Sequence, residues 1–168
     1  DVAKMKTFKV LKRLKFIEYP KLGLIELDKM IKKINEQNGG ILLIDYGYLE
    51  MINKSTLQTV MKNKKMSMNN LLKNIGKADI TSLVNFSLLE ENFEKKELKV
   101  KKIVSQKFFL EKMGIIERAK ILEKNMNIKQ LDYMSLTLKR LLHKDLMGSL
   151  FKVIFAFKNK RSDFLGFE

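Results

Sequence analysis

The residues best placed to do chemistry are Asp45, Tyr46 and Gly47, which directly follow a run of four aliphatic residues at 41–44. Such a run is typical of a strand buried on both faces, as in a parallel sheet. Because ligands in open α/β sheets bind beyond the carboxyl ends of the strands, an acid, a phenol and a glycine there can meet a ligand. The structural alternative is that Asp45 caps a turn and Gly47 supplies a left-handed conformation.

Several kinds of site are excluded by composition. The chain has one histidine, His143, and no cysteine, so it offers neither a Ser-His-Asp or Cys-His triad nor a zinc site built on sulfur. We place His143 after a helix end, as a helix-terminal cation. No G-x-G-x-x-G or P-loop motif is present. No cluster of carboxylates stands out in the sequence, so no metal site is predicted.

The formal net charge of +15 raises the question of an anionic partner. Only four of the 34 basic residues are arginine, and the lysines are scattered. Since arginine is preferred for bidentate phosphate contacts, nucleic acid is not the favoured partner. A basic binding module for RNA or anionic lipid remains an alternative. No apolar run approaches the ~20 residues of a membrane span, so no membrane-spanning segment is predicted.

The elements around Asp45 follow from hydrophobic periodicity. Alternation of apolar residues with lysine over residues 5–19, ended by Pro20, predicts a hairpin within 1–20. An apolar stripe at i, i+3, i+4 and i+7 predicts a helix over 25–37, closed by Asn38-Gly39. The following strand, near 40–45, completes a helix–strand unit at 25–47, typical of an α/β fold.

The remainder divides into a loop region and a regular C-terminal part. Residues 48–97 are predicted to be a loop region. Within it residues 48–81 show little periodicity, and Asp79 and Thr81 could simply cap a helix containing Phe86. The part from 98 to 168 is predicted to hold strands near 98–104 and 150–157, a helix at 106–123 that kinks or splits at Gly114, and a helix at 128–142. The tail after residue 157 is predicted to be a loop, and a single domain is expected.

Six motifs in a fixed order link the chain to a known family. They begin with Gly-Gly, an aliphatic strand and Asp-Tyr-Gly at 39–47, and continue with Thr-Leu-Gln at 56–58, Gly-Lys-Ala-Asp-Ile-Thr at 76–81, Val-Asn-Phe at 84–86, a Gln-x-x-Phe-Leu helix leading to Gly-Ile at 106–115, and Met-Gly-x-x-Phe-Lys-Val at 147–153. This series resembles the class I, S-adenosylmethionine-dependent protein arginine methyltransferases whose mitochondrial members assist assembly of respiratory complex I.

The resemblance implies a partial Rossmann-like sheet with helices packed on it and antiparallel last strands. It implies S-adenosylmethionine as the cofactor of the full protein and a protein substrate, such as a complex I subunit. The implied location is the cytoplasm of a bacterium or the mitochondrial matrix of a eukaryote. The implied site residues are the carboxylates Asp45 and Asp79, with Tyr46, Gly47, Gly76 and Thr81 on the substrate side.

The sequence departs from the family pattern in ways that bear on activity. The family's Val-Asp-Phe reads Val-Asn85-Phe here, and a family histidine after Thr-Leu-Gln is Asn63. The glycine loop and the ribose-binding acid, which precede the Asp-Tyr-Gly strand in such enzymes, do not occur. The chain is therefore predicted to be the C-terminal half of one methyltransferase domain, with the N-terminal half as its partner. Alone it should neither bind the cofactor nor methylate. A non-catalytic assembly factor is the other alternative.

Overall fold

The protein folds as an α/β structure with two sheets, and a computed structural model describes residues 2–61, 64–66, 76–158 and 163–168. Within these ranges the strands are β1 (Gly40–Tyr48), β2 (Gln58–Met61), β3 (Lys64–Met66), β4 (Asp79–Thr81), β5 (Val84–Asn85), β6 (Lys99–Val100), β7 (Val104–Ser105) and β8 (Phe151–Phe157). The helices are α1 (Val2–Met5), a 3₁₀ turn at Leu11–Arg13, α2 (Lys21–Gln37), α3 (Phe86–Lys95), α4 (Gln106–Lys112), α5 (Ile115–Glu123) and α6 (Ile128–Leu142), followed by an irregular turn at Lys144–Gly148.

The larger sheet is built on the pairing of β1 with β8. Its order is β5-β1-β8-β6, and β7 also pairs with β8. β1 runs antiparallel to β8 along Gly40–Tyr46, whereas its last two residues, Gly47 and Tyr48, pair parallel with β5. The predicted strand near 98–104 is broken into β6 and β7, and both run antiparallel to β8. The predicted α/β class and the antiparallel last strands are thus confirmed.

The prediction that β1 is buried on both faces, inside a parallel sheet, is wrong. Ile41 and Leu43 pack against the core, but Leu42 and Ile44 on the other face are each 44% exposed. The cause is the neighbourhood of the strand: α2 and α3 cover one face, and the cover over the other face is incomplete. A run of aliphatic residues indicates a strand buried on both faces only where other elements cover both faces of the sheet.

Helix α2 forms and ends as its sequence suggests. It begins at Lys21, directly after Pro20, which is earlier than the predicted start at 25. Its buried stripe of Leu24, Leu27 and Ile31 packs into the main core. Asn38 takes the left-handed conformation with a φ of 52°, and the Gly39 N–H donates a hydrogen bond to the Ile34 carbonyl at 3.0 Å. The predicted Asn38-Gly39 cap therefore turns the chain into β1.

The predicted hairpin at 1–20 is wrong, because no described residue before Gly40 is in a strand. Phe8 and Leu11, each 3% exposed, are the buried residues here, and their spacing of three suits the short 3₁₀ turn. The backbone N–H groups of Lys9 and Val10 donate hydrogen bonds to the Glu91 carboxylate of α3 at 2.6 and 2.9 Å. Since a side chain satisfies these donors, the segment needs no strand partner.

Helix α4 and the C-terminal tail pack on β8 of the larger sheet. The helix predicted at 106–123 is two helices, separated by Gly114 with a φ of 82°. The predicted helix at 128–142 is confirmed as α6. In the tail, which forms no helix or strand in its described residues, the Phe164 ring packs on the rings of Phe155 and Phe157 with centroid distances of 4.6 and 4.8 Å. The tail thereby closes an aromatic cluster over β8.

Candidate functional site

A cavity of about 710 Å³ opens beside the middle of β1. Its walls come from the segment before Pro20, from α2, from β1 and from the residues that lead into α3. Most of the wall is apolar. The polar residues that line it are Glu18, Glu26, Asp45, Ser55, Ser82 and Asn85. A largely apolar cavity with a few converging polar groups is the usual form of a small-ligand site.

Asp45 is the predicted site residue that the structure places in this cavity. Its side chain is exposed, and one carboxylate oxygen accepts a hydrogen bond from the Tyr46 backbone N–H at 2.8 Å. Asp45 lies opposite Lys152 of β8 in the sheet register. Burial lowers the pKa of Lys152, and the nearby Glu50 carboxylate partly offsets this effect. The Lys152 ammonium donates a hydrogen bond to the Ser149 carbonyl.

Tyr46 and Gly47 support the strand end and do not line the cavity. The Tyr46 ring packs edge-on against Phe151 of β8, with centroids 5.6 Å apart. A Cβ atom on Gly47 would lie 2.3 Å from the Val84 carbonyl oxygen and 2.6 Å from the Phe86 ring. Gly47 therefore allows β5 and the start of α3 to approach β1 closely. That both residues also bind substrate stays a prediction.

Glu18, which sequence reasoning missed, organises one wall of the cavity. Its carboxylate accepts hydrogen bonds from the Thr56 hydroxyl at 2.5 Å, the Thr56 N–H at 2.9 Å and the Ser55 hydroxyl at 2.9 Å. The Thr56 hydroxyl in turn accepts a hydrogen bond from the Leu83 N–H at 2.9 Å. This network ties three separate segments together and gives the Thr-Leu-Gln motif a structural role.

The Glu18 network sets the charge state of this wall. Burial alone would raise the pKa of Glu18, but the hydrogen bonds from Thr56, Ser55 and Leu57 lower it below its ordinary value. Burial raises the pKa of the Tyr48 phenol, and the Glu18 charge raises it further, against a hydrogen bond with Asn85. The wall therefore carries an ionised carboxylate beside a neutral phenol at neutral pH. An acid just before Pro20 and a helix start was the signal available in the sequence.

Asn85, which replaces an aspartate of the family pattern, joins the cavity to α3. Its side-chain oxygen accepts a hydrogen bond from the Leu88 N–H at 3.1 Å and caps the helix. The alternative that Asp79 or Thr81 caps this helix is thereby excluded. The other departure from the pattern, Asn63, lies outside the described residues.

The remaining predicted site residues lie on the second sheet, whose order is β3-β2-β4. Gly76 is exposed, with a φ of 77°, and precedes β4. Asp79 is exposed on β4, and Thr81 pairs with Gln58 of β2. The Thr81 hydroxyl is buried without a hydrogen-bond partner among the described residues. None of the three lines the cavity, so the structure does not bring Asp79 into the cavity wall with Asp45.

The described residues contain only part of what a nucleotide-like cofactor needs. Such a cradle needs a strand, a glycine-rich turn and a helix N-terminus in succession. Here α2 follows Pro20, and β1 leads into residues 49–57, which form no helix. The described residues therefore do not fit a complete S-adenosylmethionine cradle. In the same part of the chain, no group of three acidic or histidine residues could hold a metal ion, and no helix is long and apolar enough to cross a membrane.

The fold of the chain is similar to that of proteins with solved structures. Two crystal structures from Burkholderia thailandensis resemble the chain, each with a TM-score of 0.64. One is an uncharacterised protein that is 21% identical to this chain. The match covers 84% of this chain and 38% of that protein. The other belongs to the same superfamily and is bound to S-adenosyl-homocysteine; it is 20% identical, with 83% of the chain and 38% of that protein matched.

These likenesses confirm the predicted fold class, and the chain spans well under half the length of either structure. The family itself is shown by a sequence model described as "Putative S-adenosyl-L-methionine-dependent methyltransferase", which matches residues 10–104. That range contains the segment with Glu18, all of β1 and strand β5 with Asn85. The cavity wall is thus built from residues that carry the match, and the chain belongs to this family of S-adenosyl-L-methionine-dependent methyltransferases.

Proposed function

We propose that this chain forms the substrate-binding side of a methyltransferase that methylates arginine in proteins, with a role in the assembly of respiratory complex I. The observation that carries the proposal is the position of Asp45, which follows the aliphatic run within β1 and lies in the wall of an apolar cavity. The order of the six motifs supports the arginine substrate and the complex I link. The enzyme works in the bacterial cytoplasm or the mitochondrial matrix.

In the proposed reaction this chain positions the substrate nitrogen. Methyl transfer depends on holding the attacking nitrogen in line with the methyl group. A carboxylate can hold a guanidinium by charge-assisted hydrogen bonds and can accept its proton. Asp45 is the first choice for this task, because one of its oxygens receives no hydrogen bond from a described residue. The role of Asp79 rests on the motif alone.

The cofactor is supplied from elsewhere in this proposal. The described residues lack the cradle, and the chain covers 38% of the structure that holds S-adenosyl-homocysteine. A glycine-loop portion, supplied by the N-terminal part of the same protein, would hold S-adenosylmethionine and present its methyl group to the cavity. The 168 residues alone should therefore show no measurable affinity for S-adenosylmethionine by calorimetry.

The test uses the full-length protein encoded by the gene. It is incubated with radiolabelled S-adenosylmethionine and a fraction of respiratory complex I subunits, and labelled amino acids are identified after hydrolysis. We expect methylarginine, and we expect the Asp45→Asn variant to lose at least about 100-fold in rate, the usual order for a positioned acid–base group. The control is Asp132→Asn, which alters an exposed acid on α6.

Label in lysine or another residue, or an unchanged rate in Asp45→Asn, would contradict the arginine proposal. A full-length protein that supports complex I assembly yet binds no S-adenosylmethionine would instead be a non-catalytic assembly factor.

A further inference from the structure

The fold gathers basic side chains that lie far apart in the sequence. Residues 4–15 contain no acid and six exposed basic residues, which are Lys4, Lys6, Lys9, Lys12, Arg13 and Lys15. Lys95 and Lys96, at the C-terminal end of α3, lie beside this stretch. The Lys95 ammonium donates a hydrogen bond to the Thr7 carbonyl, and Lys4 and Lys96 each form an ion pair with Asp28. These eight basic residues are called the basic surface below. We infer that the basic surface docks the protein on a membrane rich in anionic phospholipid.

Most of the positive charge on this surface is not neutralised by the protein. Lys4 and Lys96 share Asp28, and the Lys95 ammonium lies 3.3 Å from a Glu91 carboxylate oxygen. Among the residues that the structure describes, no ion pair is formed by the other five, which are Lys6, Lys9, Lys12, Arg13 and Lys15. Because like charges repel one another, such a surface gains free energy when it meets an anionic partner.

The backbone that carries these charges is held in place. Phe8 and Leu11 are buried in the main core, and the Glu91 carboxylate binds the backbone between them. The Lys15 N–H donates a hydrogen bond to the side-chain oxygen of Asn53 at 2.8 Å. Since the backbone is ordered before binding, docking does not have to order it, and more of the electrostatic attraction appears as affinity.

The composition of the basic surface favours phospholipid over nucleic acid. Seven of its eight basic residues are lysine, which acts as a compact point charge, whereas the planar fork of arginine is preferred for contacts to guanine and to nucleic-acid phosphates. The regular elements in residues 2–15 are α1, of four residues, and the 3₁₀ turn, of three. Neither is long enough to lie along a nucleic-acid groove. Clusters of about 4–8 basic residues are typical of segments that bind anionic membranes.

The apolar side chains at the ends of this stretch are also suited to a membrane. Val2 and Phe16 flank it and are both exposed. Apolar groups beside lysines can enter the boundary between lipid head groups and acyl chains. None of the eight basic residues lines the cavity beside β1, so the inference is independent of the proposed reaction.

The experiment measures binding of the 168-residue chain to lipid vesicles by co-sedimentation. Vesicles of phosphatidylcholine alone are compared with vesicles made of equal parts of phosphatidylcholine and phosphatidylglycerol. We expect the chain to bind the anionic vesicles and not the neutral ones. Raising the salt from about 0.1 M to about 1 M should abolish binding, because the Debye length falls from about 10 Å to about 3 Å.

Two double variants test where the contact lies. Lys12→Gln with Arg13→Gln removes two unpaired charges from the basic surface and should weaken binding to the anionic vesicles about 25-fold, since each basic residue near a membrane contributes about fivefold. Lys120→Gln with Lys124→Gln removes two exposed lysines on and just after α5. This control changes the net charge by the same amount and should bind as the parent does. Circular dichroism of each variant shows whether it is folded.

Equal binding to the two kinds of vesicle, or equal losses of affinity in the two folded double variants, would overturn the inference. A parallel titration uses single-stranded RNA of mixed sequence. If the chain binds this RNA through Lys12 and Arg13 and does not bind the anionic vesicles, the basic surface is a nucleic-acid site and the membrane assignment is wrong.

Discussion

Gly47→Ala is the sharpest test of how the site is built. A Cβ atom at this position would lie 2.3 Å from the Val84 carbonyl oxygen and 2.6 and 2.7 Å from two atoms of the Phe86 ring. The carbonyl belongs to β5, which is paired with β1 at this point, and Phe86 is completely buried. Neither neighbour can move aside without separating β5 from β1.

The size of the effect follows from this geometry. Overpacking a core costs about 1–3 kcal/mol, occasionally more. Because a backbone atom is hit here, we expect about 3 kcal/mol, which corresponds to a fall of about 6–12 °C in Tm for a chain of this size. The assay is thermal unfolding followed by circular dichroism, with urea unfolding as a check.

Gly39→Ala is the matched control. Gly39 lies one residue before β1, and a Cβ atom there would meet nothing within 4 Å. We expect its Tm to stay close to that of the parent, because substitutions without such clashes usually change stability by less than about 0.5 kcal/mol. If Gly47→Ala were as stable as Gly39→Ala, the close packing of β5 on β1 would be refuted.

Three further predictions concern stability. Asn85→Ala should cost about 1 kcal/mol in urea unfolding through loss of the cap on α3, whereas Asn85→Asp keeps the cap and should gain about 0.3–1 kcal/mol from its charge at the helix N-terminus. Burial would raise the pKa of Glu91, but hydrogen bonds from Val10 and Lys9 and the Lys95 ammonium lower it. A lowered pKa stabilises the fold above the unfolded value of 4.5, and this stability is lost as pH falls through the folded value. Glu91→Gln should therefore destabilise at pH 7, and the loss should be smaller at pH 3. Phe164→Ala should cost about 1–2 kcal/mol by removing the half-buried ring that packs on β8.

The control variants for two of these predictions change exposed side chains. Glu94→Gln changes an exposed acid on the same helix as Glu91 and should be neutral at both pH values. Leu165→Ala removes a side chain that is 75% exposed and should leave the urea midpoint unchanged. A loss at pH 3 as large as at pH 7 in Glu91→Gln would contradict the carboxylate's role, and an Asn85→Asp variant weaker than Asn85→Ala would contradict the cap.

The sequence predicted the parts of the fold that depend on local pattern. The α2 stripe, its Asn38 cap and the aliphatic run of β1 each have a period or a signal within a few residues. The hairpin was wrong because lysine alternation in residues 5–19 imitates a half-exposed strand. What fixes that segment is the Glu91 carboxylate, 81 and 82 residues away from the N–H groups it binds.

The candidate site was predictable only in part for the same reason. Asp45 could be found because a carboxylate at the end of an aliphatic strand is a local signal. The role of Glu18 depends on hydrogen bonds from residues 37 and 38 positions later, and its place shortly before Pro20 and a helix start does not identify these partners. The separation of Asp79 from the cavity wall depends on the second sheet, whose strands are short and weakly patterned.

The pairing of β1 with β8 has a consequence for biosynthesis. Partners in this ladder lie 105 to 117 positions apart, so the ribosome must make all of the intervening chain before the sheet can close. At about 5–20 residues per second, this takes on the order of 5–20 s. During that interval the nascent aliphatic segment at 41–44 has no β8 to cover it, which is the condition that promotes aggregation. Nascent chains of this protein should therefore require a chaperone until Phe157 has been added.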